Sequence, residues 1–257
     1  MKKVELTPKK HGVRIGNKTG FHAPTITQDS LFVENGEVVG FYVHRMPDRL
    51  CDLANIANKE FLSKAVPKSI MNRTSGEQGH TEKVKQFSTI IGAVPPRPHM
   101  KRPYPSMSKV HSVKSARTFI KAMMMISKAS GDLIKDLWPE QYDRQKQLLT
   151  GVDKEWRWTD LFTSSISNYN ISAPVHRDTG NIKGTVNVII TKRRQADGGS
   201  LYIPDYDVCV EQADNSMLVY PAWRNIHGVT PVINHGPESY RNTLIFYALK
   251  AFINKES

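Results

Sequence analysis

Short strand-like runs follow one another along the second half of the chain and restrict it to a β-rich fold. The runs are separated by Gly, Pro, Asn or Asp, which interrupt strands. The predicted strands cover residues 167–174, 184–191, 200–203, 208–212, 217–220, 227–233 and 244–252. Such a series is typical of a sandwich or a jelly-roll barrel. We expect a double-stranded β-helix, that is, a jelly-roll or cupin-like barrel.

The first part of the chain has mainly helical spacing. Apolar residues recur at helical intervals over residues 52–66, with Asp52 as the expected N-cap, and over residues 115–130. A second helical stretch starts near residue 132, and Pro139 should break it or begin a new helix.

Two features stand outside this helical pattern. Asn35-Gly36, within the Val- and Phe-rich residues 31–43, predicts a hairpin turn. The polar, basic start of the chain should form a partly ordered arm. We therefore expect one α+β domain over residues 1–257, with a basic, mainly helical part (1–155) flanking a jelly-roll core (156–257).

Positive charge is concentrated in the first part of the chain. Residues 1–115 contain 19 Lys/Arg and 9 Asp/Glu, a net charge of +10 out of +12 for the whole chain. An uneven basic surface favours a polyanionic partner, nucleic acid first, although solvated lysines on a basic soluble protein give the same count.

The sequence also predicts where the protein acts. It has no apolar run of about 18 residues, the length that a membrane span needs. The basic start resembles no secretory signal, and two cysteines form no disulfide framework. We expect a monomer in the cytoplasm, without contact to a membrane.

Three residues have the spacing of a metal site. His176 and Asp178 follow a predicted strand, and side chains two residues apart on extended backbone point the same way. His227 opens a later strand. Two imidazoles and one carboxylate form the facial triad of non-haem Fe(II) oxygenases, which leaves coordination positions for a 2-oxo acid and O₂. A cupin-like barrel with incidental histidines is the alternative interpretation.

A fourth residue points to the co-substrate. Arg241 begins the last strand, where its guanidinium could bind the distal carboxylate of 2-oxoglutarate through paired hydrogen bonds. Thr243, Ile245 and Tyr247 alternate with outward-facing residues and should share its face, so that Thr243 could add a hydroxyl to the same carboxylate.

The segment His176-Arg177-Asp178-Thr179-Gly180-Asn181 and the following Gly184-Thr185-Val186-Asn187-Val188 resemble the iron-binding region of the TET/JBP oxygenases. This resemblance implies hydroxylation of the 5-methyl group of 5-methylcytosine or thymine in DNA. It also implies that Asn181 contacts a flipped base and that Tyr247 stacks on it. Leu249 stands where the TET enzymes carry a base-reading His, so the base stays open. The cysteine-rich zinc region of the animal enzymes is absent, which indicates a compact microbial or phage-type member that could act in a bacterial host.

A methyl group stacked inside duplex DNA is out of reach of a buried metal. The nucleotide must be flipped out or presented single-stranded, and the protein must grip the phosphates. The expected phosphate contacts lie on a Pro-rich loop and on a turn of the barrel: Arg97, Lys101 and Arg102, then Lys192, Arg193 and Arg194.

The leading hypothesis is therefore an Fe(II)- and 2-oxoglutarate-dependent dioxygenase that converts 5-methylcytosine in DNA to 5-hydroxymethylcytosine. A thymine hydroxylase is the first alternative. An AlkB-type dealkylase would carry a second Arg at the position of Tyr247. A protein hydroxylase is suggested by Gly198-Gly199-Ser200-Leu201, although such enzymes often anchor the co-substrate with Lys. A nucleic-acid-binding barrel without activity is a further alternative.

Overall fold

The computed structural model describes residues 1–71, 85–97 and 102–253. Its helices are α1 (Asp48–Leu62), α2 (Arg117–Leu137) and α3 (Pro139–Leu148). Its strands are β1 (Lys2–Glu5), β2 (Ser30–Glu34), β3 (Glu37–Val43), β4 (Ser69–Ile70), β5 (Phe87–Val94), β6 (Ser106–Met107), β7 (Ser164–Tyr169), β8 (Ala173–His176), β9 (Asn187–Arg194), β10 (Ala196–Gly198), β11 (Leu201–Ile203), β12 (Val208–Val210), β13 (Met217–Tyr220), β14 (His227–Val229), β15 (Val232–Asn234) and β16 (Tyr240–Tyr247). No helix within these described ranges is long and apolar enough to cross a membrane.

Two facing sheets build the core. The major sheet has the order β1-β2-β3-β13-β9-β16-β7-β5-β4, with β6 paired to β5, and the minor sheet has the order β12-β11-β14-β8. Strands β10 and β15 form a separate pair. Pairing is antiparallel throughout except between β1 and β2. The predicted α+β jelly-roll is confirmed, although the barrel is not closed.

Side-chain alternation along β9 and β16 divides the interior into two layers. Val188, Leu244 and Phe246 face one side of the major sheet, where they join the cluster formed with α1 and α2. Ile189 and Ile245 face the other side and pack towards the minor sheet. Because neighbouring residues of a strand point to opposite faces, the helices cover one face and leave the opposite face to the space between the sheets.

Helix α1 starts earlier than the sequence pattern predicts. It follows Pro47 and carries Asp48 in its first turn, so the expectation of an N-cap at Asp52 is wrong. Leu50, one turn before Leu53, already belongs to the buried stripe that packs against the sheet. The interpretation placed the beginning one turn too late.

The other helical predictions fit the structure more closely. Helix α2 runs without interruption to Leu137, so the predicted start of a second helix near residue 132 is wrong. The predicted effect of Pro139 is confirmed. Pro139 occupies the first turn of α3, where a missing backbone N–H costs no hydrogen bond. The proline therefore starts a new helix.

The first 155 residues contribute more β structure than expected. The hairpin is confirmed as β2 and β3, and both turn residues, Asn35 and Gly36, have positive φ values of 52° and 83°. The expected basic arm begins with β1, which pairs with β2. Strand β5, which the sequence pattern missed, pairs with β7. The major sheet thus draws on both sides of residue 155.

Candidate metal centre and co-substrate pocket

A cavity of about 350 Å³ lies between the two sheets. The seven residues that the sequence predicted for metal, co-substrate and base all line it: His176, Asp178, Asn181, His227, Arg241, Thr243 and Tyr247. The fold thus brings together side chains that lie up to 71 residues apart in the chain.

The three candidate metal ligands converge at one end of this cavity. His176 ends β8 and His227 begins β14, and the two residues lie opposite each other in the paired strands. Their ring centroids are 4.3 Å apart. Asp178 Oδ1 lies 3.7 Å from His176 Nε2, and the donor atoms of all three residues lie within 4.8 Å of one another. Two imidazole nitrogens and one carboxylate oxygen fit Fe(II) in a facial triad.

Backbone carbonyls set the tautomer of both imidazoles. His176 Nδ1 lies 2.8 Å from the carbonyl oxygen of Pro174, and His227 Nδ1 lies 3.2 Å from that of Asn225. A carbonyl only accepts, so Nδ1 carries the proton and Nε2 keeps its lone pair for a metal. Burial lowers the pKa of His227 to about 4, and the charge of His176 acts in the same direction. The ligand is therefore neutral at physiological pH.

Asp178 is held by a neighbour that the sequence analysis did not single out. Asn187, the first residue of β9, donates from Nδ2 to Asp178 Oδ2 over 3.0 Å. Asn181 Nδ2 donates in turn to Asn187 Oδ1 over 2.8 Å. Asn187 shares the inward face of β9 with Ile189, which is the signal that could have identified it.

Arg241 is a buried cation that lacks a carboxylate partner in the described part of the chain. Its side chain lines the cavity and the residue is only 3% exposed. Its Nη1 donates to the carbonyl oxygen of Ile171 over 3.4 Å, whereas its Nε has no partner among the described residues. Burial lowers the pKa of Arg241 to about 9, and the charge of Arg193 lowers it further. A ligand carboxylate would satisfy both the charge and the unpaired donor.

Thr243, Ile245 and Tyr247 line the same cavity as Arg241, so the predicted alternation along β16 is confirmed. Burial and the charge of Asp178 raise the pKa of Tyr247, while the charge of Arg97 acts in the opposite direction. Tyr247 therefore lies within electrostatic reach of both the metal-site carboxylate and a basic residue of the Pro-rich loop.

Tyr220 is a further polar residue of the cavity that sequence reasoning missed. Its ring packs edge-on against His227 with centroids 5.4 Å apart. Its hydroxyl is buried without a partner in the described residues. Burial, and then the charge of Asp178, raise its pKa well above the usual value. Tyr220 therefore places a protonated, buried hydroxyl near the triad.

The Pro-rich loop holds the first group of predicted phosphate contacts. Arg97 is exposed and Arg102 is half-buried, and their backbones are joined by two hydrogen bonds. Arg102 Nη2 donates to the carbonyl oxygen of Pro95 over 2.6 Å. Lys101 lies outside the described residues. Arg97 is thus the residue of this group with an accessible side chain and a position near the cavity.

The second group, on β9, does not form one surface. Lys192 is buried with its ammonium 2.8 Å from the Asp214 carboxylate, so the expected phosphate contact there is not retained. Arg193 is half-buried and donates to the carbonyl oxygens of Gln212 and Gly198. Arg194 is exposed and forms an ion pair with Glu238. Strand alternation puts Arg193 on the opposite face from Lys192 and Arg194. Lys192 and Arg194 share a face, but Lys192 is buried with Asp214 and Asn215, whereas Arg194 lies at the exposed end of β9.

Comparisons with known proteins identify the family and the fold of this chain. The family model of the oxygenase domain of the 2OGFeDO superfamily, Tet_JBP, matches residues 96–250. The chain aligns with NgTET1 in complex with 5mC DNA at a TM-score of 0.59 and 14% identity, over 95% of this chain and 85% of that chain. An oxidoreductase of the 2OG-Fe(II) oxygenase family from Burkholderia pseudomallei aligns at a TM-score of 0.48 and 13% identity, over 83% and 88% of the two chains. Among curated proteins, none has a significantly similar sequence.

Proposed function

Because the chain belongs to the Tet_JBP family of 2OGFeDO oxygenases, we propose that it hydroxylates the methyl group of 5-methylcytosine in DNA to 5-hydroxymethylcytosine. Enzymes of this superfamily use Fe(II), 2-oxoglutarate and O₂. The observation that carries the proposal is one cavity that contains a metal triad, a buried unpaired arginine and the two residues that correspond to base contacts.

His176, Asp178 and His227 hold the iron. When bound, iron together with 2-oxoglutarate and O₂ supplies the oxidant that hydroxylates a methyl group, with release of succinate and CO₂. The protein contributes the placement of these groups and the exclusion of water from the space between the sheets. The fixed tautomers of the two imidazoles would leave the lone pairs of both Nε2 atoms available to a metal.

Arg241 binds the distal carboxylate of 2-oxoglutarate, and Thr243 adds its hydroxyl to the same group. Both residues are buried and both line the cavity. The guanidinium has no carboxylate partner in the described part of the chain, and the distal carboxylate of the co-substrate would supply one.

Asn181 and Tyr247 position the base. Asn181 donates one N–H of its side-chain amide to Asn187. The Oδ1 atom of Asn181 has no partner among the described residues and can therefore accept a hydrogen bond from a base. Cytosine presents an amino donor at position 4, whereas thymine presents a carbonyl there, and this supports 5-methylcytosine. Leu249, which lines the same cavity, offers no hydrogen bond and keeps a thymine hydroxylase as the second candidate.

DNA is the proposed partner because a 5-methyl group must leave the base stack to reach a cavity of this depth. The complex of NgTET1 with 5mC DNA supports this choice. The +10 charge of residues 1–115 supplies the electrostatic attraction, and Arg97 and Arg194 are exposed candidates for phosphate contacts.

Nucleoside analysis tests the proposal. The purified protein is incubated with Fe(II), 2-oxoglutarate and either methylated or unmethylated DNA, and the digested nucleosides are measured by mass spectrometry. We expect 5-hydroxymethylcytosine from methylated DNA alone, with matching succinate, and neither product with Asp178→Ala. Formation of 5-hydroxymethyluracil from both DNAs would replace the proposal with the thymine alternative.

A further inference from the structure

Two side-chain amides connect the carboxylate of Asp178 to the residue proposed to contact the base. Asn187 Nδ2 donates to Asp178 Oδ2 over 3.0 Å, and Asn181 Nδ2 donates to Asn187 Oδ1 over 2.8 Å. Both asparagines are buried, at 2% and 5% exposure. Asn187 is therefore the middle member of a chain that water does not interrupt.

The direction of every hydrogen bond in this chain follows from Asp178. An ionised carboxylate only accepts, so Asn187 must turn its NH₂ group towards it. The carbonyl oxygen of Asn187 then faces Asn181, which must donate its own NH₂ group in return. A flip of the Asn187 amide would set two oxygens against each other at one end and two NH₂ groups at the other, so the chain has one stable orientation.

The backbone holds the two ends of the chain in place. Asn187 is paired with Tyr220 where β9 and β13 run side by side in the major sheet. Asn181 donates its backbone N–H to the carbonyl of Asp178 and bridges to Leu249. Strand β9 therefore fixes the position of Asn187, and the hydrogen bonds of Asn187 orient the tight turn that follows Asp178.

We propose that Asn187 is a positioning residue with two effects. It binds Oδ2 of Asp178 and thereby leaves Oδ1, the atom on the side of His176, directed at the metal. It also fixes the amide of Asn181 so that the acceptor is left for the substrate. The first effect rests on the ligand set alone, whereas the second rests on the proposed function.

Metal titration of the apoprotein tests the first effect without any nucleic acid. Asn187→Leu keeps the volume of the side chain and removes both hydrogen bonds. We expect its Kd for Co(II), measured from the visible absorption of the ion, to rise about 10- to 100-fold, the usual effect of losing a hydrogen bond to a metal ligand. Asn181→Leu leaves the bond from Asn187 to Asp178 intact, and its Kd should stay within about threefold of wild type.

A control variant and a stability measurement separate positioning from a structural role. Asn168 on β7 lines the same cavity, and Asn168→Leu should leave the Kd for Co(II) unchanged. If Asn187→Leu lowers the melting temperature but binds Co(II) as wild type does, Asn187 is structural and the proposal is wrong. If the leucine variant does not fold, Asn187→Ser is titrated instead, because its shorter side chain cannot reach Asp178 and should give the same loss.

The effect of Asn187 on the amide of Asn181 is tested by measuring the preference of the enzyme for 5-methylcytosine over thymine. Asn187→Leu, assayed with saturating metal, should reduce the preference for 5-methylcytosine over thymine about as much as Asn181→Leu does. An unchanged preference would refute the orienting effect on Asn181 but leave the metal result standing. Absence of base oxidation by the wild-type enzyme would refute the proposed function instead, and the Co(II) titration would still decide the role of Asn187.

Discussion

Gly199 lies directly against the side chain of Arg241. A β-carbon at residue 199 would stand 2.8 Å from Arg241 Nε and 3.0 Å from its Cδ, and Gly199 has a φ of +64°. The proposed co-substrate arginine can therefore occupy its place only beside a residue without a side chain. The Gly-Gly pair that suggested a protein hydroxylase thus has a local explanation.

Gly199→Ala should raise the KM for 2-oxoglutarate, because the added methyl group displaces the guanidinium. A loss of about 1.4 kcal/mol of binding energy would correspond to a tenfold increase. Metal affinity should not change, since Gly199 touches none of the three ligands. Initial rates of succinate formation against 2-oxoglutarate concentration measure the effect.

Gly36→Ala is the matched control for this variant. Gly36 also has a positive φ, of +83°, but nothing lies within 4 Å of its ideal β-carbon. It should show the backbone strain alone, as a lower melting temperature with an unchanged KM. An equal rise of KM in both variants would mean that strain, and not contact with Arg241, is responsible.

The contrast between Arg241 and Gly199 shows what the sequence could predict. Arg241, Thr243 and Tyr247 were predictable because spacing by two along a strand is a property of the backbone itself. His176 and Asp178 were predictable from their spacing at the end of a strand, although β8 ends at His176 and Asp178 lies just beyond it. The inward position of Asn187 was predictable from the alternation of β9, but its hydrogen bond to Asp178 was not. The role of Gly199 was not predictable, because it depends on which strands become neighbours. Strand β5 was missed for the same reason, and Lys192 was assigned to the surface because charge alone does not reveal a buried ion pair.

Arg241→Met should leave the unliganded protein as stable as wild type or more stable, by about 1 kcal/mol or more, because it removes a buried charge that lacks a partner carboxylate. The same variant should lose the stabilisation that 2-oxoglutarate gives to wild type. Thermal unfolding with and without 2-oxoglutarate measures both effects, and Arg117→Met, at an exposed position of α2, is the control. A wild-type protein that 2-oxoglutarate does not stabilise would contradict the assignment.

The difference in stability between Arg241→Met and wild type should depend on pH in one direction. Burial lowers the pKa of Arg241 to about 9 in the folded protein, well below the ordinary value of a guanidinium, so the unfolded chain binds the proton more tightly. The charge therefore opposes folding fully below pH 9, and the penalty fades as the pH rises above 9. The stability advantage of Arg241→Met should be constant from pH 7 to 8 and shrink above pH 9. An advantage that grows above pH 9 would have the wrong sign.

Arg97→Ala and Arg194→Ala should each weaken DNA binding in a salt-dependent manner. Each lost phosphate contact should reduce the slope of log K against log salt by about 0.9 for duplex DNA. Lys192→Met should lower the melting temperature and leave DNA affinity unchanged, because the Lys192 side chain is buried and its ammonium is already paired with Asp214. Arg117→Ala, on the helical face, is the control for charge alone. Fluorescence anisotropy over a range of salt concentrations measures these slopes, and equal losses for all four variants would exclude a localised DNA surface.

Asn181→Leu should reduce the preference for 5-methylcytosine over thymine, because it removes the acceptor that an amino group can use. A single good base contact contributes about 1–3 kcal/mol of discrimination, so the ratio of rates should fall by roughly 5- to 150-fold.

Tyr247→Phe keeps the aromatic face and should preserve the ratio, since stacking does not depend on which base is present. Competition between oligonucleotides that carry one base or the other, in single-turnover conditions, gives this ratio directly. If Tyr247→Phe changed the ratio and Asn181→Leu did not, base selection would belong to the tyrosine hydroxyl, and the acceptor role of Asn181 would have to be abandoned.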